Sequence, residues 1–208
     1  MRMSVRSMSS GVPTAFERAL RGDEAAVDAE AAIAIRLEPV SAMLAYQLSV
    51  AYAKLRRFDR ALELADRSLD LDANFLPGYW LRGLLLSFGW QRHEEALLAA
   101  ERAVELSDRH SYFLAYSGAI LARAGRAAEA ESIRSDLIER ARSSYVDRGA
   151  LAVLHLSLGD LDRAFECAKQ ACELREGLRR TLLTAPWADA LSAHPRYHEL
   201  LPRGWKGR

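Results

Sequence analysis

Residues 43–71 read MLAYQLSVAYAKL, then RR, then FDRALELADRSLDL. Both segments carry apolar residues at helical spacing, and the short connection permits only an antiparallel return. Leu48 and Tyr52, four apart, share one face of the first predicted helix. On the second, Phe58, Ala61, Ala65, Ser68 and Leu69 recur at three- and four-residue steps. The small side chains on that face let two helix axes approach to about 8–10 Å, while Leu48, Tyr52 and Phe58 fill the remaining space. A lone hairpin of this size cannot bury its apolar face. It needs neighbours.

The chain supplies them by repetition. Ala61 marks the small-residue position early in the second helix, and Ala96, Ala130 and Ala164 follow at spacings of 35, 34 and 34. Ser68, Ala103, Leu137 and Ala171 form a second series with the same spacings. Gly125 and Gly159, again 34 apart, stand where a left-handed residue ends the first helix, and Asp160 is placed to cap the second. One period of 34 before Ala61 falls Val27, within a degenerate unit that has Gly22-Asp23 at its turn and Ala31, Ala34, Leu37 and Pro39 along its second helix and exit. The units are 8–41, 42–75, 76–110, 111–144 and 145–178. The third carries one extra residue, assigned to the turn Phe88–Arg92, and Pro77 suits the first turn of its opening helix. Residues 1–12 are expected to be disordered, and residues 179–208 to form a short helical cap.

This helix-turn-helix period resembles the tetratricopeptide repeat. The residues that carry the resemblance are Leu48, Tyr52, Phe58 and Ala61 in the second unit, and Tyr79, Gly83 and Ala103 in the third. The fourth unit contributes Leu114, Gly118, Gly125 and Ala130, and the fifth Leu151, Gly159, Ala164 and Ala171. Ser49 and Ala152 replace the family's first-helix glycine, Leu137 replaces a small residue, and the closing proline survives only as Pro39. The resemblance implies an all-α right-handed superhelix of about five antiparallel helix pairs. A narrower resemblance covers residues 145–205, whose ending His194-Pro195-Arg196-Tyr197 with Leu200-Leu201 looks like the close of the repeat region in bacterial winged-helix regulators and class III adenylyl cyclases. In physical terms that ending makes a lid, with Trp187, Leu191, Tyr197 and Leu200 covering the face the last unit would expose.

Composition narrows the function classes. A 208-residue chain with 50% hydrophobic and 27% charged residues is an ordinary folded chain, and a net charge of +1 gives no basis for a nucleic-acid or membrane surface. No apolar run approaches the ~20 residues of a membrane span, and the N-terminus lacks the apolar stretch of a secretory signal. Cys167 and Cys172 lie five apart on one helix, pointing about 140° apart, and are expected as unbridged thiols of a reducing, cytoplasmic setting.

No constellation carries catalytic chemistry. His93, His110 and His155 are scattered, and Pro195 interrupts the helix that His194 and His198 would need to share a metal. His194 and His198 are therefore expected at caps or on the surface, and His155 in the core or at an interface. Glycine-rich phosphate loops and nucleophile elbows are missing from the sequence, and the carboxylates alternate with arginines on helix faces, as in Glu129, Glu131 and Arg134. The expectation is a non-enzyme without cofactor or metal. The function expected instead is a scaffold that binds a protein or peptide.

In stacked helix pairs of this kind the first helices line the concave face. The inward positions are Met43, Tyr46, Val50 and Lys54, then Trp80, Leu84 and Ser87, then Tyr112, Ala115, Ala119 and Arg123, and finally Val153 beside Leu156. This lining is apolar and aromatic, with cations at one edge only. It lacks the inward Lys, Asn and Arg set by which chaperone-binding relatives hold a C-terminal carboxylate, and the polar code by which a related repeat reads RNA. A partner segment with two or three apolar anchors fits better. Tyr46, Trp80 and Tyr112 could equally pack against neighbouring repeats or under the chain's own N-terminal segment. The alternative function is the sensory repeat region of a bacterial transcription or cyclic-nucleotide regulator, alone or truncated. Residues 1–12 leave no room for an output domain.

Overall fold

Short turns connect the helices in pairs along the chain, a computed structural model that describes residues 15–174 and 183–201. The pairs are α1 (Ala15–Leu20) with α2 (Glu24–Leu37), α3 (Ala42–Lys54) with α4 (Phe58–Leu71), α5 (Leu76–Leu84) with α6 (His93–Leu106), α7 (Ser111–Arg123) with α8 (Ala127–Arg140), and α9 (Arg148–Ser157) with α10 (Leu161–Leu174). Two 3-10 segments, Pro186–Ala193 and Tyr197–Leu200, follow. Among the described residues there is no strand. The fold is an all-α, tetratricopeptide-like solenoid. The segment 1–12 and the basic residues Arg179, Arg180 and Arg203 lie outside the described residues.

The repeat is written into the backbone. A left-handed residue closes the first helix of every pair: Gly22, Arg56, Gln91, Gly125 and Gly159, with φ of 72°, 62°, 56°, 81° and 80°. In four pairs the next N–H reaches back five residues, as Arg126 N–H does to the Leu121 carbonyl at 2.9 Å. In the third pair Arg92 N–H reaches back six, to Leu86 at 3.0 Å. The extra residue thus sits one turn earlier than expected, absorbed by a π-helical turn over Leu85–Gly89. Side-chain caps start the helices. Asp23 accepts from Ala26 N–H, Ser41 from Leu44, His110 Nδ1 from Tyr112, Asp147 from Ala150 and Asp160 from Arg163.

The small-residue series is the buried seam. Val27, Ala61, Ala96, Ala130 and Ala164 are all completely buried. So are the first-helix partners Ser49, Gly83, Gly118 and Ala152. At Gly83 a Cβ would stand 3.3 Å from the carbonyl oxygen of Ala96, so α5 meets the α6 backbone there, and at Gly118 it would stand 3.0 Å from Leu154 Cδ1, so the α7 backbone meets the Leu154 side chain. Ser49 is tolerated in this series because its hydroxyl donates to the Ala61 carbonyl at 2.6 Å. Two apolar cores result, one around α3 and α4 and a larger one spanning α5 to α10 and the cap. Trp80 and Trp187 pack against both.

The cap is stitched to α10. Leu191 and Leu200 are buried, and the His194 imidazole stacks on Phe165 at 4.0 Å with the rings 9° apart. His194 Nδ1 accepts from Arg196 N–H at 3.1 Å, which leaves the ring proton on Nε2, 3.2 Å from Asp162. Of the capping or surface role expected for His194, the cap is present and the surface position is not: the ring is buried flat on Phe165 while Nδ1 takes the N–H ahead of the Tyr197–Leu200 segment. Arg196 pairs with Glu199 and Glu166, and Lys169 with Glu199. Arg196 and Lys169 together hold the Glu199 carboxyl at about 2.

Candidate binding surface

A row of aromatic rings runs along the first helices. Tyr46 on α3 lies 5.9 Å edge-on from Phe75 and 6.4 Å from Trp80 on α5. Trp80 in turn lies 5.7 Å from Tyr112 and 5.5 Å from Tyr116 on α7. Tyr112 and Tyr116, one helical turn apart, are 5.0 Å from each other. Edge-to-face pairs of this kind each contribute about 0.5–1.5 kcal/mol beyond burial. Burial raises the phenol pKa of Tyr46, Tyr112 and Tyr116, so the row is uncharged at any ordinary pH.

The cap segment crosses this row. Trp187 packs 5.9 Å from Trp80 and 6.5 Å from Tyr116. Burial raises the Tyr116 phenol pKa, and Tyr112 and then Trp187 oppose that shift. Beyond Trp187 the segment reaches the end of α3. Lys54 Nζ donates to Thr184 Oγ1 at 2.9 Å, and Arg56 pairs with Asp189 at 2.6 Å. Thr184 and Lys54 are both buried, so the amine is enclosed by the cap on one side and the Phe16 ring, 5.0 Å away, on the other. The lid therefore does more than close the last unit: it lies across the first helices back to the second pair.

The thirteen inward positions divide accordingly. Tyr46, Trp80 and Tyr112 belong to the aromatic row and are half-buried, as are Val50, Arg123 and Leu156, while Met43 is exposed. Arg123 lies over the Phe88 ring at 4.1 Å and donates to the Ser87 carbonyl, and its pKa is lowered by burial. Lys54 is buried under the cap. Leu84, Ser87, Ala115, Ala119 and Val153 are completely buried and present nothing to a partner. The reason for this correction is helical phase. On α7 the line facing the row is Tyr112 to Tyr116, a four-residue step, whereas Ala115 and Ala119 turn into the contacts of α7 with neighbouring helices. The segment that covers the row is the C-terminal one, because Trp187 packs on Trp80 and Tyr116.

An open part of this side remains. Between α1, α2 and α3 lies a cavity of about 660 Å³ lined by Phe16, Ile33, Ala34, Leu37, Leu44, Tyr46 and Val50, with Glu30 and Gln47 as polar members. Ile33, Leu37, Val40 and Met43 beside it are 50%, 76%, 79% and 48% exposed. Sequence reasoning missed this patch because it treated the first pair as a degraded unit. The signal was present in Ile33, Leu37 and Val40, three apolar residues on the outgoing half of α2 and its exit.

Residues 148–177 match the sequence profile of the tetratricopeptide repeat family. No curated protein matches the chain in sequence. Among solved structures, the chain is similar to TTC0263, a thermophilic tetratricopeptide repeat protein of Thermus thermophilus, at 21% identity and a TM-score of 0.54, covering 88% of this chain and 97% of that one. It also overlaps YrrB, described as a tetratricopeptide repeat protein with an unusual peptide-binding site, at 17% identity and a TM-score of 0.48, covering 82% and 88%. The architecture, the match of residues 148–177 and the likeness to TTC0263 define the fold as a helical-repeat solenoid of tetratricopeptide type. Among the described residues no group of three metal-ligating side chains occurs, and no helix is long and apolar enough to cross a membrane.

Proposed function

We propose that this chain is a non-catalytic protein-interaction scaffold that holds an apolar segment of a partner protein along its concave side. The observation that carries the reading is the open groove of about 660 Å³ between α1, α2 and α3, flanked by exposed Ile33, Leu37, Val40 and Met43. A contiguous exposed apolar patch on a folded chain marks an interaction site. Its occupant is a helical segment with two or three apolar anchors, each contributing about 1.5–3 kcal/mol on burial before ordering costs. Glu30 and Gln47 give the groove no cationic rim, which argues against nucleic acid. Cys167 and Cys172, present as thiols, agree with a reducing, cytoplasmic location.

The test is selection from a displayed peptide library against the folded full chain. Selected peptides should carry two or three large apolar residues at helical spacing. Ile33→Glu and Leu37→Glu, both at exposed positions, should weaken their binding by at least tenfold while circular dichroism stays unchanged. Selection of polar or acidic peptides, or binding indifferent to both variants, would exclude this groove.

A second reading, a sensory repeat region that contacts a separate bacterial output protein, rests on the sequence resemblance of the ending His194 to Leu201 alone. Under it the partner is that output domain, and the same two variants test the contact.

A further inference from the structure

Thr184–Asp189 lies where a ligand of the concave side would lie. Leu191, His194, Arg196 and Leu200 cap α10. Thr184–Asp189 joins that cap through Ala185 and Ala188, buried in the larger core, and in addition spans the aromatic row to α3, 130 residues away in sequence. Its grip includes one aromatic anchor, a buried hydrogen bond from Lys54 to Thr184, and an ion pair whose Asp189 side chain is 56% exposed. Trp187 itself is only half-buried. The open groove and the covered row share Tyr46, so a partner segment extending along this side runs into Trp187.

We infer that the covered row is itself a recognition site for a segment bearing a tryptophan with a carboxylate two residues toward its C-terminus, and that Thr184–Asp189 is an internal copy of that ligand, exchangeable with the external one. The inference rests on the reading of the concave side as partner-binding and adds the chemistry of the partner. The indole packs edge-on against both Trp80 and Tyr116, at 5.9 and 6.5 Å. The carboxylate meets Arg56, which a left-handed backbone holds at the rim. Because the internal copy is tethered, its effective concentration is on the order of millimolar, and an external segment binds only as far as it outcompetes the tether.

The experiment uses a fluorescein-labelled peptide with the sequence of residues 183–194, LTAPWADALSAH, and fluorescence polarisation with full-length proteins. Trp187→Ala, with helical circular dichroism retained, should bind the peptide at least tenfold more tightly than the wild type. A peptide with alanine in place of its tryptophan should not bind. Adding Arg56→Gly, which suits the positive φ at that position, should weaken the gain severalfold. A folded Trp187→Ala chain that binds no better than wild type overturns the inference. Should that variant fail to fold, hydrogen exchange on the wild type decides: a large excess of peptide should speed exchange of the Ala188–Ala190 amides, and unchanged exchange overturns the inference. Leu37→Glu should leave this peptide's binding intact. Loss of the strap exchange with Leu37-dependent library binding preserved therefore rejects this inference and leaves the proposed function standing.

Discussion

Gly78 sits in the first turn of α5, just after Pro77, and faces α4 across the seam between the second and third pairs. A Cβ built there would lie 2.5 Å from Ser68 Oγ, 2.8 Å from Leu69 Cδ2 and 3.2 Å from Leu69 Cγ. The Ser68 hydroxyl is completely buried and donates to the Ala65 carbonyl at 2.6 Å, so it cannot simply swing away. Gly78→Ala therefore forces α4 and α5 apart, at an overpacking cost of roughly 1–3 kcal/mol. Against this stands the helix-propensity gain of alanine over glycine, at most about 1 kcal/mol and smaller in a first turn. The net loss is about 1–2 kcal/mol, or a fall in Tm of roughly 2–8 °C for a chain of this length. Ser68→Ala removes the nearest obstructing atom, so the double variant should recover at least about 0.5 kcal/mol relative to the sum of the singles. The assay is thermal and urea denaturation of the four proteins of the cycle. The seam also sets the offset between Tyr46 and Trp80, so near-ultraviolet circular dichroism should change in Gly78→Ala. A Tm equal to or above wild type, or strict additivity in the cycle, would refute the close approach on which this prediction depends.

Two more substitutions probe the backbone and the core. Gln91→Gly should stabilise the chain by about 0.5–1 kcal/mol, because a non-glycine residue at φ 56° carries a steric cost of about 1–2 kcal/mol that exceeds the entropy cost of glycine; a lowered Tm would contradict this. The His155 imidazole, 3% exposed, has its pKa lowered below the ordinary 6.5 by burial, with the Asp160 carboxylate opposing. The unfolded chain then binds this proton at a higher pH than the folded one, so stability is complete above about pH 6.5 and declines as the pH falls toward the folded pKa. Tm measured from pH 7.5 to 5.5 should drop more in wild type than in His155→Leu, and parallel curves would show that the ring is not held neutral.

The repeat was legible because its markers are local and periodic. A position that must be small in every pair, as Ala61, Ala96, Ala130 and Ala164 must, leaves a trace at fixed spacing that no tertiary detail erases. The turn glycines could be read for the same reason, although Arg56 and Gln91, which hold the identical left-handed backbone without glycine, could not. The aromatic row was half legible. Tyr46, Trp80 and Tyr112 followed from the period, but Tyr116 was passed over in favour of Ala115, one residue out of phase on the same helix. The reach of Thr184 to Lys54 left no periodic trace, since contacts separated by 130 residues depend on the curvature of the whole stack and not on any local pattern. For the same reason an ending read as a lid for one pair proved to be a strap across several.

That strap has a consequence for how the protein is made. A solenoid can assemble pair by pair as it leaves the ribosome, each pair needing only the one before it. Lys54, Arg56, Trp80 and Tyr116, however, acquire their cover only when Thr184–Asp189 has been synthesised. At about 5–20 residues per second, the stretch of 130 residues from Lys54 to Thr184 takes roughly 7–26 s. Over the last part of that interval, the 68 residues from Tyr116 to Thr184 or roughly 3–14 s at the same rate, the nascent chain displays the aromatic row complete and not yet covered by Thr184–Asp189. On the exchange inferred above, a partner present at the site of synthesis would meet the uncovered form once per molecule, before the tether exists.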